Sequence, residues 1–243
     1  MNNQIALVIP TFNESESMED LCESLEKLKL EFPALRIIFV DDSPNGLTTI
    51  AINKQLNRRT SLKDHCSVIQ RKSKLGRGSA VRDGFLSVIE DDSFEYFLES
   101  DADGSHDLQG MRDVIATLSK NEFVIGSRYL PESRIIGWPI SRRLFSRMIN
   151  LSLRFLFGLR THDFTNGLRG YSRRSVLEIL ASGQMNTGFI YLTEQILILN
   201  RVGIKPIEIP ITFIDREKGE SSVTHRELLD SAVGVVSLRL KYR

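Results

Sequence analysis

Short hydrophobic runs alternate with amphipathic stretches along the first half of the 243-residue chain. The runs predict strands at residues 5–9, 37–40, 67–69, 94–98 and 123–126. Between them, apolar residues such as Met18, Leu21, Leu25 and Leu28 recur at helical spacing, and residues 78–90 form a second predicted helix. Because strands that alternate with helices pair in parallel, the pattern predicts a single α/β, doubly wound, mostly parallel sheet.

The second half of the chain has a less regular pattern. Residues 139–157 form a predicted amphipathic helix with Ile140, Leu144, Met148 and Leu151 on one face. Further predictions are a helix at 190–202, a strand-like stretch at 206–214 and a terminal helix at 223–242. Since we find no internal repeat or low-complexity linker, we expect one continuous domain spanning residues 1–243.

Clusters of polar residues follow three of the predicted strands, at residues 10–14, 41–42 and 101–103. Ligands of doubly wound sheets bind outside the carboxyl ends of the strands. We therefore expect these three clusters to meet at one edge of the sheet.

Asp101 and Asp103 are the most informative of these polar residues. Isolated buried carboxylates are very costly, and this pair suits a hard divalent cation that keeps waters and binds substrate phosphates. A solvated turn explains Asp-Ala-Asp-Gly-Ser equally well on spacing alone. The pattern of a calcium-binding loop does not occur here.

Other candidate residues give weaker signals. Asp41 and Asp42 could bind a ribose or a base edge, although capping and turn formation compete with that role. The Gly-rich basic loop at 71–78 could hold phosphate at a helix start, or be a surface turn. Arg128 and Arg142 suit phosphate recognition, with solvated surface arginines as the alternative.

Charge is distributed unevenly along a chain whose formal net charge is only +1, which argues against a generic nucleic-acid binder. Residues 139–160 contain five arginines and no acid, beside Trp138, Phe145 and Phe155. A basic face opposite large apolar residues predicts a helix lying on a membrane surface. Packing of the apolar face on the protein core is the alternative.

The two cysteines and the first residues of the chain indicate the cellular compartment of the protein. Cys22 and Cys66 lie outside any metal-binding spacing and predict reduced thiols, as in the cytoplasm. No signal peptide and no membrane-spanning segment are expected. We expect a cytoplasmic protein, peripheral at the inner face of a membrane, either lying on it or holding a membrane-protein partner.

An ordered set of motifs runs through nearly the whole chain, at residues 10–14, 40–42, 74–78, 101–106, 126–129, 163–169 and 216–221. In this order and spacing they resemble the polyprenol-phosphate mannosyltransferases (dolichol-phosphate mannose synthases) within the family-2 inverting glycosyltransferases. The resemblance implies a glycosyltransferase A fold with C-terminal amphipathic helices. It also implies a nucleotide-sugar-binding half at 1–127 and an acceptor-binding half with interfacial helices at 128–243.

The resemblance implies a role for each matching residue. The nucleotide-sugar donor would contact Pro10, Phe12, Glu14, Val40, Asp42, Asp101, Ala102, Asp103, Ile214 and Arg216. Mn²⁺ or Mg²⁺ would bind Asp101, Asp103 and Ser105. The lipid phosphate would bind Arg128, Arg142 and Ser146, and the catalytic residues would be Asp101, Asp103, Arg128 and Arg142.

Four positions depart from the family pattern: Phe12 replaces Tyr, Ser105 replaces Gln, Leu192 replaces Gln and Ser222 replaces Lys. The implied reaction is inverting transfer of a hexose, mannose from GDP-mannose, to a polyprenyl or dolichyl monophosphate. The departures concern donor identity more than reaction class. The alternatives are a UDP-sugar-dependent transferase acting on a lipid phosphate or a soluble glycan, and a non-catalytic nucleotide-binding or membrane-surface protein.

Overall fold

The structure is a computed structural model that describes residues 4–183, 186, 188, 190–215 and 234–242. The first part contains β1 (Gln4–Thr11), α1 (Met18–Glu31), β2 (Leu35–Asp41), α2 (Leu47–Arg58), α3 (Thr60–Lys63), β3 (Cys66–Gln70), α4 (Arg77–Leu86), β4 (Phe94–Glu99), α5 (Leu108–Leu118) and β5 (Phe123–Ser127). The second part contains β6 (Arg134–Ile136), α6 (Ile140–Phe157), β7 (Arg169–Ser172), α7 (Arg173–Ala181), α8 (Tyr191–Arg201), β8 (Ile207–Pro210), β9 (Thr212–Ile214) and a helix α9 at 234–241.

Seven strands form one sheet in the order β3-β2-β1-β4-β7-β5-β8. Every pairing is parallel except the two made by β7, which runs antiparallel to β4 and β5. The predicted mostly parallel, doubly wound sheet is therefore confirmed. A short parallel pair, β6 with β9, lies outside it.

One prediction for the second half is corrected, and one strand of the main sheet was not predicted. The strand-like stretch at 206–214 is two strands, because β8 extends the main sheet whereas β9 pairs with β6. The patterns also did not predict β7, which is only four residues long. Of the predicted terminal helix at 223–242, only α9 lies within the described residues.

The sheet separates two hydrophobic cores. Along β1, Ala6 and Val8 face a core with α4, α7 and α8, whereas Ile5, Leu7 and Ile9 face a core with α1, α2 and α5. Strands covered on both faces are hydrophobic at nearly every position, which is why the runs in the sequence were continuous rather than alternating. The free cysteines belong to this packing: burial raises the pKa of Cys22 to about 11 and that of Cys66 to about 12.

Helix α6 packs on the core far less than its neighbours do. Its buried residues are Asn150 and Leu153, whereas the predicted apolar face of Ile140, Leu144, Met148 and Leu151 is exposed. This face therefore does not pack on the core, whereas Ile149, Leu153 and Phe157 of the same helix do. Among the described helices, none combines the length and the apolar character needed to cross a bilayer.

Candidate active site

The cleft lies where β1, β2 and β4 end, as the positions of the polar clusters predicted. It has a volume of about 150 Å³ and is lined by Pro10, Thr11, Phe12, Glu14, Asp42, Lys74, Gly76, Arg77, Ala80, Asp101, Ala102, Asp103 and Gly188. Parallel pairing sets this convergence, since β1 is in register with β2 and β4 up to these ends. The ammonium of Lys74 lies 4.5 Å from the centre of the Phe12 ring, at one wall of the cleft.

Asp41 organises the loop that follows β2. Its buried carboxylate accepts hydrogen bonds from Thr11, Ser43 and Thr49, including 2.6 Å from the Ser43 hydroxyl and 2.7 Å from the Thr49 hydroxyl. These bonds tie β1, β2 and the start of α2 together. Asp41 therefore has a structural role.

Asp42 lines the cleft and also organises the next loop. Its carboxylate pairs with Arg71 and accepts hydrogen bonds from the backbone N–H groups of Leu75 (3.2 Å) and Gly76 (2.9 Å). The basic loop predicted at 71–78 is thus fixed against the end of β2. It leads directly into α4, whose first residue is Arg77.

Arg77 connects the cleft to a buried group of polar side chains. Its guanidinium pairs with Asp101 and donates from Nε to the Tyr191 hydroxyl at 2.8 Å. Nη2 lies 4.0 Å from the fully buried carboxylate of Glu99, which accepts hydrogen bonds from Tyr171 (2.6 Å) and Tyr191 (2.5 Å). Burial lowers the pKa of Arg77, but Asp101, Tyr191 and Glu99 together raise this pKa by more than burial lowers it, so the net change is upward.

Asp101 is held from two sides. Oδ1 pairs with Arg77, and Oδ2 lies 3.6 Å from His106 Nε2. The Asp101 backbone N–H donates to His106 Nδ1 at 3.2 Å, so Nε2 carries the imidazole proton and donates to Asn166 Oδ1 at 3.0 Å. Burial raises the pKa of Asp101, but Arg77, His106 and Arg128 lower it more, so Asp101 is ionised.

Asp103 and Ser105 lie in the turn after Asp101. Ser105 N–H donates to the Asp103 carboxylate at 3.1 Å, and the buried Ser105 hydroxyl has no hydrogen-bond partner in the described part of the chain. No cluster of three or more His, Cys, Asp or Glu side chains suited to a metal occurs among the described residues. Two carboxylates still fit a hard cation that takes its other ligands from phosphate and water.

Arg128 lies at the end of β5 and is buried with a carboxylate. Nε and Nη2 donate to the two oxygens of Asp163, both at 2.8 Å, and Nη2 also donates to the Thr165 hydroxyl at 2.7 Å. Burial lowers the pKa of Arg128, but Asp163 raises it more. A bidentate pair of this kind fixes the guanidinium plane rigidly.

Arg142 and Ser146 lie on α6, close to Arg128. The guanidinium carbons of Arg128 and Arg142 lie 5.4 and 4.1 Å from the centre of the Trp138 ring, and Arg142 pairs with Asp215 at 2.9 Å. Ser146 accepts a hydrogen bond of 2.6 Å from Tyr129, the residue after Arg128. Arg128 and Arg142 therefore lie at the Trp138 ring, and Ser146 is connected to Arg128 through Tyr129, whose ring centre is 5.6 Å from the Arg128 guanidinium carbon.

The other predicted site residues differ in their placement. The side chain of Val40 is buried in the core with α4 and α8 and does not line the cleft, so a contact between Val40 and the donor stays a prediction. Ile214, in β9, donates a backbone hydrogen bond of 3.0 Å to the Ser105 carbonyl, which places it beside the Asp103 turn. Ser105 is 1% exposed. Arg216 lies outside the described residues.

Three site residues were not identified from the sequence. Arg77 lies in the basic loop at 71–78, and His106 and Asp163 lie in the motifs at 101–106 and 163–169, but the sequence predicted no role for any of the three. Each acts through a partner far along the chain, such as Asp163 with Arg128, 35 residues apart. Only the motif order pointed to these positions.

Comparison with known proteins identifies the family. The model of glycosyl transferase family 2 matches residues 6–180. The chain is 30% identical to an undecaprenyl-phosphate mannosyltransferase of Micrococcus luteus, over 99% of this chain and 96% of the relative. It is 29% identical to a polyprenol monophosphomannose synthase of Mycolicibacterium smegmatis, over 98% of this chain and 87% of the relative.

Solved structures show the same fold at low sequence identity. A glucosyl-3-phosphoglycerate synthase from Mycobacterium tuberculosis, in complex with Mn²⁺, UDP and phosphoglyceric acid, is 16% identical with a TM-score of 0.67, covering 99% of this chain and 78% of that one. A mannosyl-3-phosphoglycerate synthase from Rubrobacter xylanophilus is 18% identical with a TM-score of 0.67, covering 98% and 74%. The chain belongs to glycosyl transferase family 2, and it is a glycosyltransferase.

Proposed function

We propose that this enzyme transfers a hexose, mannose from GDP-mannose, to a polyprenyl or dolichyl monophosphate with inversion at the anomeric carbon. The observation that carries the proposal is that an acidic donor cleft lies close to a group of arginines around Trp138. His106 lies 3.6 Å from Asp101 of the cleft and its ring centre lies 5.7 Å from that of Phe213, whose ring centre is 5.4 Å from the guanidinium carbon of Arg128. The cleft and the group of arginines are therefore neighbours. The names of the two curated relatives supply the acceptor class and the sugar.

The donor would lie in the cleft, with its base against Phe12 and its diphosphate toward Asp101 and Asp103. Among the described residues, four acidic side chains line this cleft (Glu14, Asp42, Asp101 and Asp103) against two basic ones, Lys74 and Arg77. A diphosphate entering alone would add negative charge to an acidic surface. The cleft therefore suits a diphosphate that arrives with a cation.

Asp103, with Asp101, would hold Mn²⁺ or Mg²⁺. When bound, the ion would offset the negative charge that develops on the nucleoside diphosphate leaving group. The neighbouring Ser105 N–H fixes the Asp103 side chain, and the Ser105 hydroxyl adds an oxygen with unused acceptor capacity.

The acceptor phosphate would be positioned by Arg128, Arg142 and Ser146. A phosphate monoester has a second pKa of about 6, so its oxygens are anionic nucleophiles at neutral pH and require no general base. Asp163 and Thr165 engage Nε and Nη2 of Arg128, and Nη1 makes no hydrogen bond within the described residues. We assign that atom to the acceptor, so that catalysis is positioning and electrostatic stabilisation.

Helix α6 would bring the enzyme to the lipid that carries this phosphate. Most of its large apolar side chains, from Ile140 to Phe155, are exposed, with Phe155 at 90%, and its only charged residues are arginines. An apolar face with basic flanks matches an anionic membrane surface in both respects. We therefore place the enzyme at the inner face of the cytoplasmic membrane, with α6 in the interface and Arg142 near its amino-terminal end.

The test is a transfer assay with a panel of GDP- and UDP-sugars, Mn²⁺ and a polyprenyl phosphate, followed by extraction of the lipid. We expect mannose from GDP-mannose in the lipid phase, and loss of that signal in Asp103→Asn. The matched control is Asp113→Asn, on α5 outside the cleft. Hydrolysis of every donor without lipid labelling would contradict the proposed acceptor.

A further inference from the structure

The ion pair between Arg77 and Asp101 lies inside the proposed cation site. We propose that Arg77 is an internal counter-ion that occupies Asp101 in the donor-free enzyme and competes there with the divalent cation, so that the cation binds tightly only together with a nucleoside diphosphate. This inference rests on the proposed function, because it assumes that the cleft binds a cation and a diphosphate.

The geometry around Arg77 keeps the guanidinium against Asp101. The Arg77 side chain is 14% exposed, and Tyr191 and Glu99 hold it on the side away from the cleft. On the other side lies Gly167, where a Cβ would collide with the Arg77 guanidinium and lie 3.0 Å from Asp101 Oδ1. A glycine there leaves the space that the ion pair fills.

Both oxygens of Asp101 already face a partner. Oδ1 pairs with Nη1 of Arg77, and Oδ2 faces His106 Nε2 at 3.6 Å. A cation that binds Asp101 must displace the guanidinium or share its carboxylate at close range, and two positive charges a few ångströms apart repel each other. In the donor-free state, the Asp101 carboxylate is therefore already occupied by Arg77.

A nucleoside diphosphate removes this competition. Its anionic oxygens are acceptors that a guanidinium binds well, often in bidentate fashion. Arg77 lines the cleft beside Asp101, so it can donate to the diphosphate and release Asp101 Oδ1 for the cation. Cation and diphosphate then bind with positive coupling, each raising the affinity of the other by the same factor.

The experiment measures Mn²⁺ binding by electron paramagnetic resonance, with and without GDP, in the wild type, Arg77→Gln, Asp101→Asn and the double variant. Without GDP, Arg77→Gln should bind Mn²⁺ about tenfold more tightly, because the competing charge is gone. In the wild-type background, Asp101→Asn should change the GDP-free affinity for Mn²⁺ by less than about threefold. In the Arg77→Gln background, the same substitution should abolish the roughly tenfold gain in Mn²⁺ affinity. With GDP, Asp101→Asn should weaken Mn²⁺ binding in both backgrounds.

Arg82→Gln is the matched control, since Arg82 lies on the same helix and bonds the carbonyls of Leu180 and Gly183 instead. Its GDP-free Mn²⁺ affinity should equal that of the wild type. Circular dichroism checks folding. If Arg77→Gln does not fold, Asp101→Asn alone still tests the inference. A tenfold loss of GDP-free affinity for Mn²⁺ in that variant would show that Arg77 does not occupy Asp101, and would overturn the inference.

Failure of the inference and failure of the proposed site give different results. If GDP does not raise Mn²⁺ affinity in the wild type, or if Asp103→Asn binds Mn²⁺ with GDP as the wild type does, the proposed cation site is wrong. If that site behaves as proposed but Arg77→Gln leaves GDP-free affinity unchanged or weaker, only the role of Arg77 is wrong.

Discussion

Asp163 and Arg128 form a buried pair whose partners depend on each other. The Asp163 side chain is fully buried and that of Arg128 is 7% exposed, so neither charge is well solvated. Asp163 also accepts backbone hydrogen bonds from Arg128, Thr165 and Asn166. The Asp163 carboxylate therefore holds both the Arg128 guanidinium and the loop that follows α6.

Asp163→Asn should destabilise the protein strongly. Removing one partner leaves the other as an uncompensated buried charge, and such changes cost about 3–5 kcal/mol in the free energy of unfolding. Urea titration at pH 7 measures this change. The control is Asp215→Asn, which breaks the more exposed pair with Arg142 and should cost less than about 1 kcal/mol. Equal losses in the two variants would contradict the assigned role of Asp163.

The same pair predicts a pH dependence of stability. Burial raises the pKa of Asp163, but Arg128 and the backbone donors lower it more, so its folded-state value is below the ordinary one. The unfolded state then takes up the proton first as pH falls. The stabilisation is complete above the ordinary aspartate pKa of about 4, and is lost as pH falls through the lowered folded-state pKa.

Urea titrations between pH 2.5 and 7 test whether the pKa of Asp163 is lowered in the folded state. The stability difference between wild type and Asp163→Asn should be constant above about pH 5 and should shrink below about pH 4. A difference that grows on acidification would show that the Asp163 pKa is raised rather than lowered.

At the scale of elements, hydrophobic runs predicted β1, β2, β4 and β5, because strands buried on both faces must be apolar. They did not predict β7, whose sequence Arg-Gly-Tyr-Ser includes a charged residue and a glycine. Arg169 is nevertheless fully buried, with its guanidinium donating to the carbonyls of Asn166, Leu192 and Phe164. Asn166 and Phe164 lie just before β7, whereas Leu192 lies 23 residues away on α8. A hydrophobicity pattern records none of these hydrogen bonds, so it could not reveal a buried strand there.

Helix α6 shows a different limit of periodicity. Its spacing predicted a helix at 139–157, and the structure contains it at Ile140–Phe157. Periodicity also identified which residues share a face, but it could not say whether protein or solvent covers that face. The exposed side chains of Ile140, Leu144, Met148 and Leu151 answer that question for the described structure.

A membrane role for α6 predicts that its exposed leucines contribute to vesicle binding. Leu144→Ser with Leu151→Ser should weaken sedimentation with anionic vesicles by at least tenfold, because each side chain would lose apolar burial in the interface. The matched control is Leu30→Ser on α1, where the leucine is 73% exposed, against 63% for Leu144.

Replacing Arg147 and Arg154 by Gln should weaken vesicle binding chiefly at low salt, since each basic residue near an anionic surface contributes about 1 kcal/mol. Equal losses for Leu30→Ser and the α6 variants would contradict a specific membrane-facing helix. Binding that does not depend on salt would contradict the role of the arginines.

At the scale of the whole molecule, the cleft was predictable and the group of arginines around Trp138 was only partly so. Parallel strands end at the same edge, so the clusters after β1, β2 and β4 had to converge. Arg128, Trp138 and Arg142 come together through β6, α6 and β9, for which sequence patterns give no topology. The order of motifs linked these residues to one reaction, and their geometry places them beside the cleft.

The central claim is inverting transfer of mannose to a lipid phosphate, and the most direct measurement is the anomeric configuration of the product. The mannose of GDP-mannose is α-linked, so in-line attack by the acceptor phosphate must give a β-linked phosphodiester. We propose proton and phosphorus NMR of the lipid extracted after incubation with GDP-mannose, Mn²⁺ and polyprenyl phosphate. We expect a β-mannosyl phosphodiester on the lipid, whereas an α-linked product, or a lipid phase without mannose, would contradict inverting transfer to the lipid phosphate.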